Sequence, residues 1–127
     1  MHEDLNCLTE EIIGAAIEVH REFGPGLLES AYEACLAHEL KLRDIRVEHQ
    51  KELPVRYKNL TVELGFRLDL LVEERVIVEV KAVDRLHPVH DSQLITYLRL
   101  TGCKVGLLIN FNVRVLKDGI RRKVLDF

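Results

Sequence analysis

The 127-residue chain has no apolar run approaching the roughly 20 residues that cross a bilayer, which excludes a membrane-spanning helix. Its opening, MHEDLNCLTEE, is acidic where a secretory leader is basic and then apolar, so a cytoplasmic protein with no membrane partner is expected. Cysteine is scarce. Cys7, Cys35 and Cys103 are odd in number and form no CxxC pair, which argues against a disulfide framework and against a zinc site; reduced thiols acting as small hydrophobes are expected. None of the six histidines has zinc-ligand spacing. Gly24 and Gly26 are too few for a phosphate-cradling loop and serve to punctuate helices. An excess of positive charge is also missing. The net charge of −3 speaks against broad non-specific binding to nucleic acid, although a local basic cleft remains compatible with it. There is no internal repeat, linker or low-complexity stretch, so residues 1–127 form one domain.

What is present suits a soluble globular domain: 47% hydrophobic and 31% charged residues. A chain of this size buries roughly two thirds of its unfolded surface, enough for one sizeable core. Thr9 fits a helix N-cap with Glu10 and Glu11 behind it, and Ile12, Ile13, Ala16, Ile17 and His20 recur at helical spacing. Gly24-Pro25-Gly26 ends that helix. A second spans about 27–43, with Leu28, Ala31, Cys35, Leu36 and Leu40 along one side. Strand patterns follow: VEHQKELPVRY, in which Pro54 marks an edge or bulge, then TVELGFRLDLLVE and RVIVEVKAV. A helix over about 90–100 places Leu94, Ile95 and Leu98 on a core, with Gly102 as C-cap. KVGLLINF reads as a strand buried on both faces and parallel to its neighbour, and VRVLKDGIRRKVL as a closing hairpin around Lys117-Asp118-Gly119. The fold class is α/β.

One segment breaks its own pattern. VIVEVKAVD is the most hydrophobic strand of the chain, yet Glu79 and Lys81 lie in it two residues apart and so on one side. Glu73-Glu74-Arg75 makes a three-residue hairpin loop that sets Val72 opposite Val76. Pairing outward by equal steps, Leu70 meets Val78 and Leu68 meets Val80 on an apolar face. On the other face Leu71 meets Ile77, Asp69 meets Glu79 and Arg67 meets Lys81. Two carboxylates so placed lie about 4.5–5.5 Å apart at Cβ and repel, which calls for a proton or a cation between them. Mg²⁺ takes one or two carboxylates plus waters and phosphate oxygens, and Lys81 beside such an ion could steady an attacking water or a charged transition state. By spacing alone, a salt-bridge cluster on a solvated face explains the same residues equally well.

Asp69 followed by Glu79-Val80-Lys81, in a strand hairpin that leads into a helix, resembles the core of the PD-(D/E)xK nuclease superfamily. Gly26-Leu27-Leu28-Glu29-Ser30-Ala31-Tyr32, with RLDLLVEERVIVEVKAV, HDSQLITYLRLTG and VGLLINF, resembles its GxxExxY family over about 9–124. The resemblance implies a single restriction-endonuclease-like domain, a mixed central sheet flanked by helices. It also implies a Mg²⁺- or Mn²⁺-dependent nuclease acting on nucleic acid, with Glu29, Asp69 and Glu79 on the metal. Lys81 would orient water or stabilise charge, and Gln93 from the following helix would position Lys81 or water. Leu68, not proline, precedes Asp69, a departure from the literal motif.

Further candidates are weaker. Tyr97, one turn past Gln93 on the same helix face, and His90, three residues before it, are possible substrate contacts. Tyr32 serves either substrate or the anchoring of its helix. Arg67 meets phosphate or pairs with Glu63 or Asp69. His20 and His87 are lone histidines. Arg121-Arg122-Lys123, the densest basic run, fits a solvated hairpin end better than a phosphate contact. So small and slightly acidic a domain would grip a duplex as a homodimer or with a partner chain. The alternative to an enzyme is a non-catalytic module that keeps the fold to bind nucleic acid or protein.

Overall fold

A computed structural model describes residues 4–125; the first three residues of the acidic opening lie outside it. Helices α1 (Leu5–Phe23) and α2 (Glu29–Leu42) precede strands β1 (Val47–Tyr57), β2 (Leu60–Val72) and β3 (Val76–Lys81). Helix α3 (Pro88–Thr101) leads to β4 (Val105–Asn110), and a 3-10 turn (Leu116–Gly119) to β5 (Ile120–Val124). The strands lie side by side in chain order. Only the β3–β4 pair, joined through α3, is parallel. The result is an α/β domain with a mixed five-stranded sheet, consistent with a restriction-endonuclease-like fold. No helix among the described residues is long and apolar enough to cross a membrane.

Strands β3 and β4 run through the middle, and every residue from Val76 to Val80 and from Val105 to Asn110 is buried. They divide two cores. On one face Leu70, Val78, Val80, Leu107 and Ile109 pack under α1 and α2; on the other Leu71, Ile77 and Leu108 pack under Leu94 and Leu98 of α3. Both helical stripes follow from 3.6-residue periodicity.

Several boundaries differ from expectation. Helix α1 starts a turn earlier, where the Asp4 carboxylate accepts from Asn6 N–H (2.9 Å), and Thr9 is a buried interior residue bonded to Asn6 O. In α2 the core face is Tyr32, Glu33, Leu36, Ala37 and Leu40, while Leu28 is 76% exposed at the N-cap. The closing hairpin is β4–β5 rather than a VRVL strand. The chain turns tightly past the end of β4, where a β-carbon on Gly119 would meet Asn110 O, so residues 113–116 cannot pair. Cys7 is exposed, and all three thiols are free. The bulge at Pro54, between Leu53 and Val55, and the left-handed Gly102 cap (φ 80°) are as expected.

Candidate active site

The three-residue loop sets the β2–β3 register as read from the sequence: Val72 against Val76, Leu71 against Ile77, Leu70 against Val78. There the ladder stops. Leu68–Val80, Asp69–Glu79 and Arg67–Lys81 are not ladder pairs, and Leu68 packs in the α3-side core rather than with Leu70. The carboxylates cause the break. Asp69 N–H donates to Glu79 Oε2 (3.1 Å) and Val80 N–H donates to Asp69 Oδ2 (2.8 Å), so each side chain takes an amide that a strand carbonyl would otherwise hold. The two carboxyl groups therefore converge at the C-terminal end of β3, beside its parallel partner β4. Open α/β sheets bind ligands at such strand ends.

The price of that convergence is electrostatic. Glu79 is 4% exposed. Burial, then the Asp69 charge, pushes its carboxyl up to about 8, against the opposing effects of the Asp69 N–H and Lys81. Burial likewise raises Asp69 to about 6; the Val80 N–H opposes this, while the Glu33 charge adds to it. Both groups are poised to exchange a proton for a cation. Lys81, half-buried on the same strand, lowers both values through its charge, yet forms no ion pair within 4 Å among the described residues. Its ammonium is free to act on something else.

The GPG loop and α2 bring a third carboxylate to this end of the sheet. Tyr32 is fully buried, its ring stacked on Phe111 (centroids 4.5 Å apart, planes at 11°). Its hydroxyl donates to Gly24 O (2.5 Å) and accepts from Leu27 N–H (3.1 Å). That pins the loop and starts α2 at Glu29, whose Oε2 accepts from Ala82 N–H (3.0 Å), the residue after Lys81. Tyr32 is thus structural, which corrects its reading as a substrate contact. Asn110, buried at the end of β4, accepts from Val83 N–H and donates to Val83 O, fixing the chain just past Lys81.

A description of the PD-(D/E)XK nuclease superfamily matches residues 6–123. The chain belongs to this superfamily. No curated protein and no solved structure matches it.

PD-(D/E)XK nucleases generally use divalent metals. Among the described residues no group of three or more His, Cys, Asp or Glu side chains is arranged to hold a metal ion. The donor set nevertheless fits Mg²⁺ or Mn²⁺, because Asp69 and Glu79 supply the one or two carboxylates such an ion takes from protein before water and phosphate complete its shell. The Oε2 of Glu29 is engaged by the Ala82 amide.

The other expected residues are dispersed around this point. Gln93 is exposed on α3 and makes no hydrogen bond among the described residues. Tyr97 stacks on Phe66 (5.1 Å), and burial followed by the charges of Glu79 and Asp69 raises its phenol, which places it beside the carboxylates. His90 Nδ1 accepts from His87 N–H (3.0 Å) to cap α3; burial and then Lys81 hold its ring below the usual histidine range. Arg67 pairs with neither Glu63 nor Asp69. It is exposed and lies 3.4 Å from Glu52 on β1, its cross-strand partner. Arg121 and Lys123 fold onto Asp91 at the start of α3, and Arg122 bonds Asn6. His20 bonds Val113 O.

Sequence reasoning passed over Glu33, His49, Gln50 and Asn110. Glu33 had a usable signal, since it falls one helical turn after Glu29 and so on the same face. Asn110, a polar residue closing an apolar run, had another. The largest cavity, about 690 Å³, is unrelated to these groups. It is lined by Cys7, Glu11, Arg43 and Glu73 at the opposite end of the sheet.

Proposed function

We propose that this PD-(D/E)XK domain hydrolyses phosphodiester bonds in nucleic acid with Mg²⁺ or Mn²⁺ held by Asp69 and Glu79, and that it is of the GxxExxY type. The observation that carries this reading is the reciprocal bonding of Asp69 and Glu79 with an unpaired lysine on the next outward position of the same strand. Structural ion-pair clusters end with charges matched; here two carboxylates are buried against one lysine that bonds neither. When bound, the ion polarises a phosphoryl oxygen and acidifies water. The protein groups have separate tasks. Asp69 and Glu79 are aimed by amides of the opposite strand, so they meet a cation without rearranging. Lys81 places positive charge where the phosphoryl group gains negative charge in the transition state. Glu29 holds the Ala82 amide and with it the backbone that carries Lys81. Tyr97 lines the α3 side, and exposed Gln93, one turn before it, can reach a substrate lying across the strand ends.

The test is incubation of the purified protein with single-stranded, duplex and branched DNA and with RNA, each with Mg²⁺ and with Mn²⁺. Cleavage that requires the ion and is lost in Lys81→Ala supports the reading. If nothing is cut and neither ion raises the melting temperature, the domain is a binding module that keeps the nuclease fold.

A further inference from the structure

Glu33 is 6% exposed, on the helix face that points Glu29 at Ala82. A buried carboxylate demands partners. Those of Glu33 come from β1: His49 Nε2 lies 3.0 Å from Oε1, and Gln50 donates its amide to the same oxygen. Gln50 stands opposite the centre of the site. His49 pairs with Leu70 and Lys51 with Leu68, while the position between them, Gln50 against Asp69, drops out of the ladder. Gln50 leaves it by adopting φ 57°, a left-handed conformation that is uncommon outside glycine, asparagine and aspartate. What this kink achieves is the reach of its amide to Glu33. The Asp69 carboxyl is in turn hydrogen-bonded to Glu33.

We propose that Glu33, clamped by His49 and Gln50, is a positioning residue that fixes the Asp69 carboxylate for its divalent ion. The inference rests on the metal-dependent reading above. A single amide bond, from Val80, leaves Asp69 free to swing about that contact. A second anchor on the α2 side removes that freedom. Partners of this kind set the orientation of metal ligands in general. Glu33 acts through Asp69 rather than on the ion, because its Oε1 is already committed to two donors from β1.

Two variants separate positioning from ligation. Glu33→Gln keeps an acceptor for His49 and Gln50 and gains a donor for Asp69. Gln50→Gly removes half the clamp at a position whose backbone glycine adopts without strain, so the fold is not threatened. Mn²⁺ affinity is measured by calorimetry, and the Val80 amide, which reports directly on Asp69 Oδ2, by ¹⁵N–¹H spectra of the metal-free protein. Gln50→Gly is expected to move the Val80 resonance and weaken Mn²⁺ by about tenfold, the usual scale for a lost outer partner. Glu33→Gln is expected to bind Mn²⁺ within about threefold of the parent, under 1 kcal/mol. The proposal is overturned if Gln50→Gly changes neither readout, or if Glu33→Gln loses Mn²⁺ as completely as Asp69→Asn, which would make Glu33 itself a ligand. If the parent protein takes up no Mn²⁺, the metal reading fails on its own. The Val80 amide then decides: movement in Gln50→Gly supports the anchoring of Asp69, and no movement overturns it.

Discussion

Asp69 and Glu79 interlock: the Glu79 carboxylate holds the amide of Asp69, and the Asp69 carboxylate holds the amide of Val80, next to Glu79. Two side chains that repel as anions are therefore fixed close together by the backbone each would otherwise leave unsatisfied. The sheet gives up ladder pairing to create a site of concentrated negative charge. The following expectations rest on that exchange.

Without metal, the protein should lose stability as pH rises. Asp69 and Glu79 titrate at about 6 and about 8 in the folded chain, above the ordinary 3.8 and 4.5, so the folded state binds protons more tightly than the unfolded one. That contribution is fully present below about pH 4 and is lost as pH climbs through 6 and then 8. Melting temperatures in chelator from pH 5 to 9 should fall across this window, and Glu79→Gln should flatten the slope. Added Mg²⁺ should oppose the fall by mass action. A metal-free protein that melts higher at pH 8.5 than at pH 5.5 would contradict the burial argument.

Lys81→Ala should separate binding from chemistry. The ammonium contacts neither carboxylate within 4 Å, so the variant should keep Mn²⁺ affinity within about tenfold. Cleavage should drop by about 10²–10³, the usual loss for one transition-state charge contact. Equal loss of affinity and rate would assign Lys81 to ion binding instead.

Asp69→Asn should abolish both ion binding and cleavage. Above pH 7 the metal-free variant should melt no lower than the parent, because it removes one of two facing charges while an amide oxygen can still accept from Val80 N–H. Calorimetry with Mn²⁺ and a melting curve at pH 8 check the two halves independently.

Tyr32→Phe should cost about 1–3 kcal/mol in denaturant unfolding with unchanged slope, since a partly buried carbonyl and amide lose their shared partner while the stacking on Phe111 survives. Cleavage should fall as well, because the loop that starts α2 at Glu29 loosens. A variant equally stable to the parent would show that water replaces the hydroxyl.

What the sequence determined by itself was local and periodic. The loop 73–75 fixed the pairing of Leu70 to Val72, because a one-residue slip would turn every apolar side chain to the wrong face. Gly24 and Gly102 ended their helices, Pro54 marked the bulge, and the uninterrupted run ending at Asn110 marked a central parallel strand. Asp69, Glu79 and Lys81 stood out because charges in so apolar a hairpin have few reasons to be there. What only the tertiary structure decided was where the residues of other elements meet them. Nothing near Glu33 in the chain shows that it packs between His49 and Gln50, or that Arg67 turns to Glu52 and leaves Asp69 alone. Nor does the hairpin pattern show that its ladder ends at Leu70, since that depends on two carboxylates competing with carbonyls for the same amides. Periodicity fixes which face a side chain occupies. The docking of α2 across the sheet fixes its neighbours, and that follows from burying Tyr32, Leu36 and Leu40 together against the strands.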